Sequence, residues 1–330
     1  HPYWGPVRSL HVGHAADDRV RFQGSSGGGV SALAIFALRS GLVDRVVQVA
    51  ADPKQPTGNL VVVSRTEAEI LECAGSRYAP SSPLAGIEAV LAEGGKAAFI
   101  GKPCDASALR GLARFDERVA RHIPLVLSFF CAGTPSRHGA DRILAAMGVD
   151  PDQVTAFRYR GEGWPGRAKA TLRSGEVRDM SYDESWGGYL ADEVQFRCKI
   201  CPDAVGGVAD VVCADAWYGD ERGYPLFEEQ DGRSLFAVRT EIGERLLSQA
   251  QAAAAVVLQP LAIDEVERMQ PGQVQRKRMI RARTAALAVL LRPRPHMHGL
   301  FVREAARRGR FREAARNFLG TIRRVVIRKL

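Results

Sequence analysis

Apolar, β-branched stretches alternate with helical patterns along the first 150 residues, and two of these stretches run straight into a cysteine loop. Residues 96–100 lead into Gly101-Lys-Pro-Cys104, and residues 123–130 lead into Cys131-Ala-Gly-Thr-Pro-Ser136. Strand, helix, strand with a short exit loop implies parallel strands joined by right-handed crossovers. In such a sheet both thiols stand at the carboxyl edge, where ligands bind in open α/β folds. Cys104 and Cys131 then converge although they are far apart in the chain.

The surrounding pattern extends this reading. Residues 19–22 read as a short strand leading to Gly24-Ser-Ser-Gly-Gly-Gly29 and a helix over 30–39, stopped by Gly41. Residues 43–50 and 60–64 read as strands, and Thr66-Glu-Ala-Glu69 as a capping box. Helical patterns cover 84–93, 106–115 and 137–147. The second half changes character: residues 154–160 and 167–172, with a turn at Ser174-Gly175, predict an antiparallel meander. Strands follow at 210–214 and 235–239, then a helix over 240–254. The expected fold is α/β passing to α+β. A parallel or mixed sheet with flanking helices occupies 1–150, a smaller mixed layer 151–270, and a basic helical tail 271–330, with a border across 260–272.

A hydrophobic content of 46% in 330 residues excludes wholesale disorder and collagen-like repeats. No apolar run approaches the ~18–20 residues of a membrane span. The chain opens on His1 without a signal-peptide pattern, so an upstream segment is expected to have been removed and a cytoplasmic location is expected. Six cysteines are too few for a disulfide scaffold. The net charge of +9 is uneven. Residues 276–330 hold 17 Lys+Arg against Glu304 and Glu313, a balance of +15, which leaves −6 on the rest. Phe311, Ala315, Phe318, Leu319, Ile322 and Val326 recur there at helical spacing among arginines. Such a helix either rests on anionic lipid, peripheral to a membrane, or docks on an acidic partner, or packs on its own body. Nucleic acid is disfavoured: no known motif is present, and residues 276–300 lack aromatics.

Cys198-Lys-Ile-Cys201 adds two thiolates at a metal-loop spacing. Cys104, Cys131, Cys198 and Cys201 could together complete one [4Fe–4S] cluster; zinc competes for the same four thiolates. Cys213 is a reserve ligand, and Cys73 reads as a packed small residue. Ser25, Ser26, Gly27, Gly28 and Gly29 expose consecutive N–H groups at a helix start, suited to a phosphate or a flavin's polar edge. This is not the G-x-G-x-x-G pattern of a Rossmann loop. Lys102 and Arg197 lie beside proposed ligands and hold phosphate, offset cluster charge, or are ordinary surface charges. Asp215 and Trp217 follow a strand end and either line the pocket or cap and pack. Tyr78 is a lid or a core residue, and His296 and His298 read as a solvated loop. No Ser/His/Asp arrangement points to a hydrolase.

Taken in order, Ser25-Ser-Gly-Gly-Gly29, Gly101-Lys-Pro-Cys104, Cys131-Ala-Gly-Thr-Pro-Ser136 and Arg197-Cys-Lys-Ile-Cys-Pro-Asp203 with Ala209-Asp210 resemble the coenzyme F420 hydrogenase/dehydrogenase beta-subunit family. The family is related to formate dehydrogenase beta subunits and chlorophyll-ring reductases. The resemblance runs from about Gly5 to about Leu247, and the tail after Gln270 lies outside it. It implies an oxidoreductase, an iron–sulfur flavoprotein with FAD near a [4Fe–4S] cluster. Electrons pass between the cluster and a reducible substrate such as F420, with a redox partner protein or carrier, or in a homo-oligomer. Carried over, the cluster thiolates are Cys104, Cys131, Cys198 and Cys201, and the flavin-side segment is Ser26 to Gly29. The sequence departs from the pattern twice. The ferredoxin-like segment that many relatives carry upstream is not in it, and Cys213-Ala214 stands where a glycine-containing turn is expected. The alternative readings are a zinc-stabilised scaffold with a docking tail and a flavin-only reductase with structural cysteines.

Overall fold

The computed structural model describes residues 1–221 and 226–328. The chain begins with β1 (Ser9–Ala15), α1 (Asp18–Gln23) and α2 (Gly29–Arg39). It continues through β2 (Arg45–Ala51), β3 (Asn59–Ser64), α3 (Glu67–Glu72), α4 (Ile87–Glu93), β4 (Ala97–Gly101), α5 (Pro103–Leu112), α6 (Glu117–His122), β5 (Leu125–Phe129) and α7 (Arg137–Ala146). A hairpin layer follows, β6 (Val154–Arg158), β7 (Arg167–Leu172) and β8 (Val177–Ser181), with a π-helical turn over Glu184–Leu190 and the short α8 (Phe196–Lys199). The chain then forms β9 (Val211–Asp215), β10 (Ser234–Val238), α9 (Glu241–Ala252), β11 (Val256–Pro260), α10 (Ile263–Met269), α11 (Pro271–Val289), α12 (Val302–Arg307) and α13 (Phe311–Arg328).

The main sheet has eight strands in the order β11-β1-β10-β9-β5-β4-β2-β3, and β6-β7-β8 form a second, antiparallel sheet. β2, β4, β5 and β9 run parallel, with Val47 opposite Phe99, Phe99 opposite Val126 and Leu127 opposite Val211. The remaining pairs are antiparallel. This is the mixed α/β sheet with flanking helices that the alternating pattern predicts. Strand residues alternate between the two faces. Val47, Phe99, Val126 and Val212 enter one core; Val46, Ala98, Leu125, Leu127 and Val211 enter the other, beneath α2. A third core, with Phe157, Tyr159, Ile143 and Leu190, fastens the small sheet to α7.

Three local expectations change. Residues 19–22 are helical, because the Asp17 carboxylate caps Arg19 N at 2.8 Å. Four residues of alternation fit a strand as well as a helical turn, and the cap decides. β1 and β11 carry no distinct sequence signal, since His11, Gly13 and His14 interrupt β1 and β11 is a half-exposed edge. The stretch read as a border, 260–272, contains α10, and Pro271 opens a 19-residue helix at its first position. The Thr66 capping box forms as expected, with Glu69 closing it. No helix among the described residues is long and apolar enough to cross a membrane.

Candidate functional site

The carboxyl ends of the parallel strands open into a cavity of about 320 Å³. Its strand side is built by Ser25, Ser26, Gly28 and Gly29 at the start of α2, Ile100–Lys102 at the end of β4, Phe129–Thr134 running out of β5, and Cys213–Asp215 at the end of β9. Arg160, Tyr182 and Trp186 from the hairpin layer, Trp217, and Gln270 and Gln273 at the start of α11 cover it.

The glycine segment has a steric reason. Gly28 caps α2 with φ +72°, in the left-handed region. A Cβ on Gly29 would lie 2.7 Å from the Phe236 ring and 3.3 Å from Cys213 Sγ. Gly27 N donates to Ser234 Oγ at 2.9 Å, and Ser26 Oγ donates to the Arg233 carbonyl at 2.6 Å. Ser25 Oγ accepts from Ser76 N. The loop is thus pinned on β10 while the first turn of an eleven-residue helix faces the cavity. Gly27 itself is packed away from the cavity wall, beneath the loop.

Lys102 lines the cavity, donating to Ser81 Oγ at 2.7 Å and pairing with Asp105 at 2.7 Å. Arg197 is exposed and stands outside the cavity lining; its charge reaches Cys104. Asp215 lines the cavity, but both its oxygens are taken by the Arg160 guanidinium, at 2.7 and 2.8 Å, and Trp164 Nε1 donates to it at 3.0 Å. Arg160 is buried, with Tyr182 and Trp217 against its guanidinium at 4.4 and 4.9 Å from the ring centres. Burial opposes its charge, and Asp215 more than offsets that, so its pKa stands above the ordinary guanidinium value. Tyr78 also lines the cavity, edge-on to Tyr159 and tilted against Trp186. Cys73 and Cys213 are both wall residues, and burial pushes the Cys73 thiol up to about 11.

Cys104 stands in the first turn of α5, and Cys131 in the loop leaving β5. The 198–201 segment lies against the same loop. Thr134 N donates to Cys198 Sγ at 3.4 Å, and Gly133, at φ +121°, has Cys198 Cβ 3.3 Å from where its own Cβ would be. The charges of Cys104, Cys131, Cys198 and Cys201 act on one another: Cys104 feels Cys198, Cys131 feels both, and Cys201 feels Cys104. The structure therefore brings the four sequence-selected thiols into one neighbourhood. Among the described residues, however, no three His, Cys, Asp or Glu side chains form a group able to hold a single metal ion. Burial pushes the Cys131 thiol up to about 12 and also raises Cys104 and Cys201.

The main residues missed from sequence lie on α11. Arg276 donates to the Cys131 carbonyl at 2.8 Å and also to Ala132 O, and Gln273 Nε2 donates to Cys131 O at 3.2 Å. Lys277 Nζ donates to Pro202 O at 2.6 Å, and Arg283 to Lys199 O at 2.7 Å. One helix thus grips both cysteine loops. Burial lowers the Lys277 pKa, as expected of a cation drawn out of water. The only sequence signal was the density of basic residues, which does not distinguish a helix gripping loop carbonyls from a solvated tail.

Residues 10–88 match the family model of the N-terminal part of the coenzyme F420 hydrogenase/dehydrogenase beta subunit, and residues 94–264 match the model of its C-terminal part. The coenzyme F420 hydrogenase subunit beta of Methanococcus voltae is 27% identical over 270 residues, covering 80% of this chain and 88% of the relative. The chloroplastic 7-hydroxymethyl chlorophyll a reductase of Oryza sativa subsp. japonica is 26% identical, over 72% of this chain and 50% of its own length. The coenzyme F420-dependent sulfite reductase of Methanocaldococcus jannaschii is 25% identical, over 77% of this chain and 38% of its own. The chain thus spans half or less of these two longer relatives. In fold, a chain of the F420-reducing [NiFe] hydrogenase complex from Methanosarcina barkeri superposes with a TM-score of 0.67 at 20% identity, over 89% of this chain and 98% of that one. Both family models match in chain order across most of the main sheet and the whole cavity wall up to α10, and the chain belongs to the coenzyme F420 hydrogenase/dehydrogenase beta-subunit family.

Proposed function

We propose that the protein is the electron-transferring subunit of a redox complex, holding FAD in the strand-end cavity and a [4Fe–4S] cluster on Cys104, Cys131, Cys198 and Cys201. The observation that carries this reading is the arrival of all four thiols in one neighbourhood, with Cys131 also lining the cavity. Thiolates are the soft anionic donors that iron–sulfur clusters require. Three of the thiols are raised by burial, so their ionisation there needs a bound cation to offset it. The Arg276 charge, which acts on Cys131 and Cys201, supplies part of that compensation. Gly28, Gly29 and the first turn of α2 offer N–H groups to a phosphate, and Lys102 adds a cation beside the cavity.

Bound together, the two groups supply the conversion between hydride transfer and single-electron transfer. The protein's own part is to orient and to exclude water. Tyr182, Trp186 and Trp217 line the cavity and give it an aromatic wall against which a planar ligand can pack. The Asp215–Arg160 pair fixes the covering layer over the strand ends. The electron donor or acceptor proposed for this chain is F420 or a related carrier, by analogy with the named relatives.

Anaerobic purification tests the reading. A brown protein with iron, acid-labile sulfide and flavin absorption is expected; reduced F420 should bleach those bands, and oxidised F420 should restore them. Cys198→Ser should bring bound iron to near zero while most flavin stays. A colourless protein carrying zinc would overturn the redox assignment in favour of a scaffold. Flavin without iron would leave a reductase with structural cysteines.

A further inference from the structure

The C-terminal helices carry a surface that the redox site does not use. We propose that α13, with the connection from Val289 to Phe301, docks the protein on an anionic lipid surface. Among the described residues, seven of the sixteen exposed large apolar side chains fall between Val289 and Ile327, in the most basic part of the chain. They are Val289, Leu291, Phe301, Phe311, Leu319, Val326 and Ile327; Leu291 is 93% exposed and Phe311 86%.

α13 separates its two faces. Thr321 and Val325 are buried on the side packed against α11, where Asn317 accepts from Arg283 at 2.9 Å. Arg312, Arg316, Leu319, Arg323 and Val326 recur at helical spacing on the opposite face, and all five are exposed. Phe311 and Ile327 flank that stripe. None of its three arginines makes an ion pair with a described residue. The face therefore presents unpaired cations interleaved with bare aliphatic groups, as a helix lying in a lipid headgroup layer does. No described helix can span a bilayer, so the contact is interfacial. Residues 276–330 carry +15 and the rest of the chain −6, so an anionic surface attracts this end and repels the body. The stripe lies on the solvent-exposed side of one helix, which suits a fluid charged surface. Arg283 links Asn317 on α13 to the Lys199 carbonyl beside Cys198, so the docked face stands one helix away from the cysteine loops.

The test uses the full chain and vesicles of phosphatidylcholine with and without phosphatidylserine. Sedimentation with the phosphatidylserine vesicles alone is expected, weakening as salt rises. A Leu319→Glu/Ile327→Glu variant should lose at least about tenfold in affinity, since losing the burial of one such side chain, worth about 1.5–3 kcal/mol, already gives that factor. An Arg312→Glu/Arg316→Glu/Arg323→Glu variant should lose binding altogether while keeping its circular dichroism and bound prosthetic groups. Failure to bind phosphatidylserine vesicles overturns the proposal. So does equal binding to both vesicle types, or undiminished binding by the leucine and isoleucine variant. The redox reading stands or falls separately, on iron and flavin content.

Discussion

The strand side of the cavity and the layer that covers it are held by different physics. The strand side relies on main-chain geometry and on missing side chains: Gly28 at positive φ, Gly29 under the Phe236 ring, Gly133 against Cys198. The covering layer relies on buried and half-buried cations. Arg160 ties it to Asp215, while Arg276, Lys277 and Arg283 tie α11 to carbonyls of the two cysteine loops. A strand end is positioned by its sheet and needs only space. A layer that is not paired into the main sheet needs strong directional bonds, and planar guanidinium groups supply them.

Substitutions can break this distinction. Asp215→Ala should be the most damaging, because it strands the Arg160 charge in a buried site; about 3–5 kcal/mol of stability should be lost, read by chemical denaturation. Arg276→Ala comes next. It removes charged donors from the Cys131 and Ala132 carbonyls, for a loss of about 1.5–3 kcal/mol, and hydrogen exchange should rise over 131–134 while β4 and β5 stay protected. If exchange rose across the sheet instead, the helix would be supporting the whole fold rather than the loop. Gly29→Ala should cost about 1–3 kcal/mol through overpacking against Phe236, with less bound flavin. A Gly29→Ala loss larger than that of Asp215→Ala would reverse the proposed division.

The same division explains what could be read from the sequence. β2, β4, β5 and β9 announce themselves as short apolar runs, and the loops after β4 and β5 bring Cys104 and Cys131 to the carboxyl edge, as parallel strands require. The Cys198–Cys201 pair was visible from spacing alone. Arg160 was not, because its partner Asp215 lies 55 positions away and neither residue has a local signature of pairing. The role of α11 was hidden for a related reason. Its cations bond to main-chain oxygens, which every residue has, so no complementary acidic pattern marks their targets. β1 was missed because strand propensity is weak where His and Gly interrupt the apolar alternation.

β5 and β9 are neighbours in the middle of the main sheet, yet Val126 and Asp210, which bond across them, are 84 positions apart. The whole hairpin layer and the 198–201 loop are threaded through that interval. Zipping the sheet shut therefore waits on the completion of a long excursion, and loop closure of that length slows assembly. During synthesis, Cys104 and Cys131 leave the ribosome well before the second pair, and α11 emerges last of the parts that grip them. The four thiols can therefore share one neighbourhood only after residues 198–201 have been made.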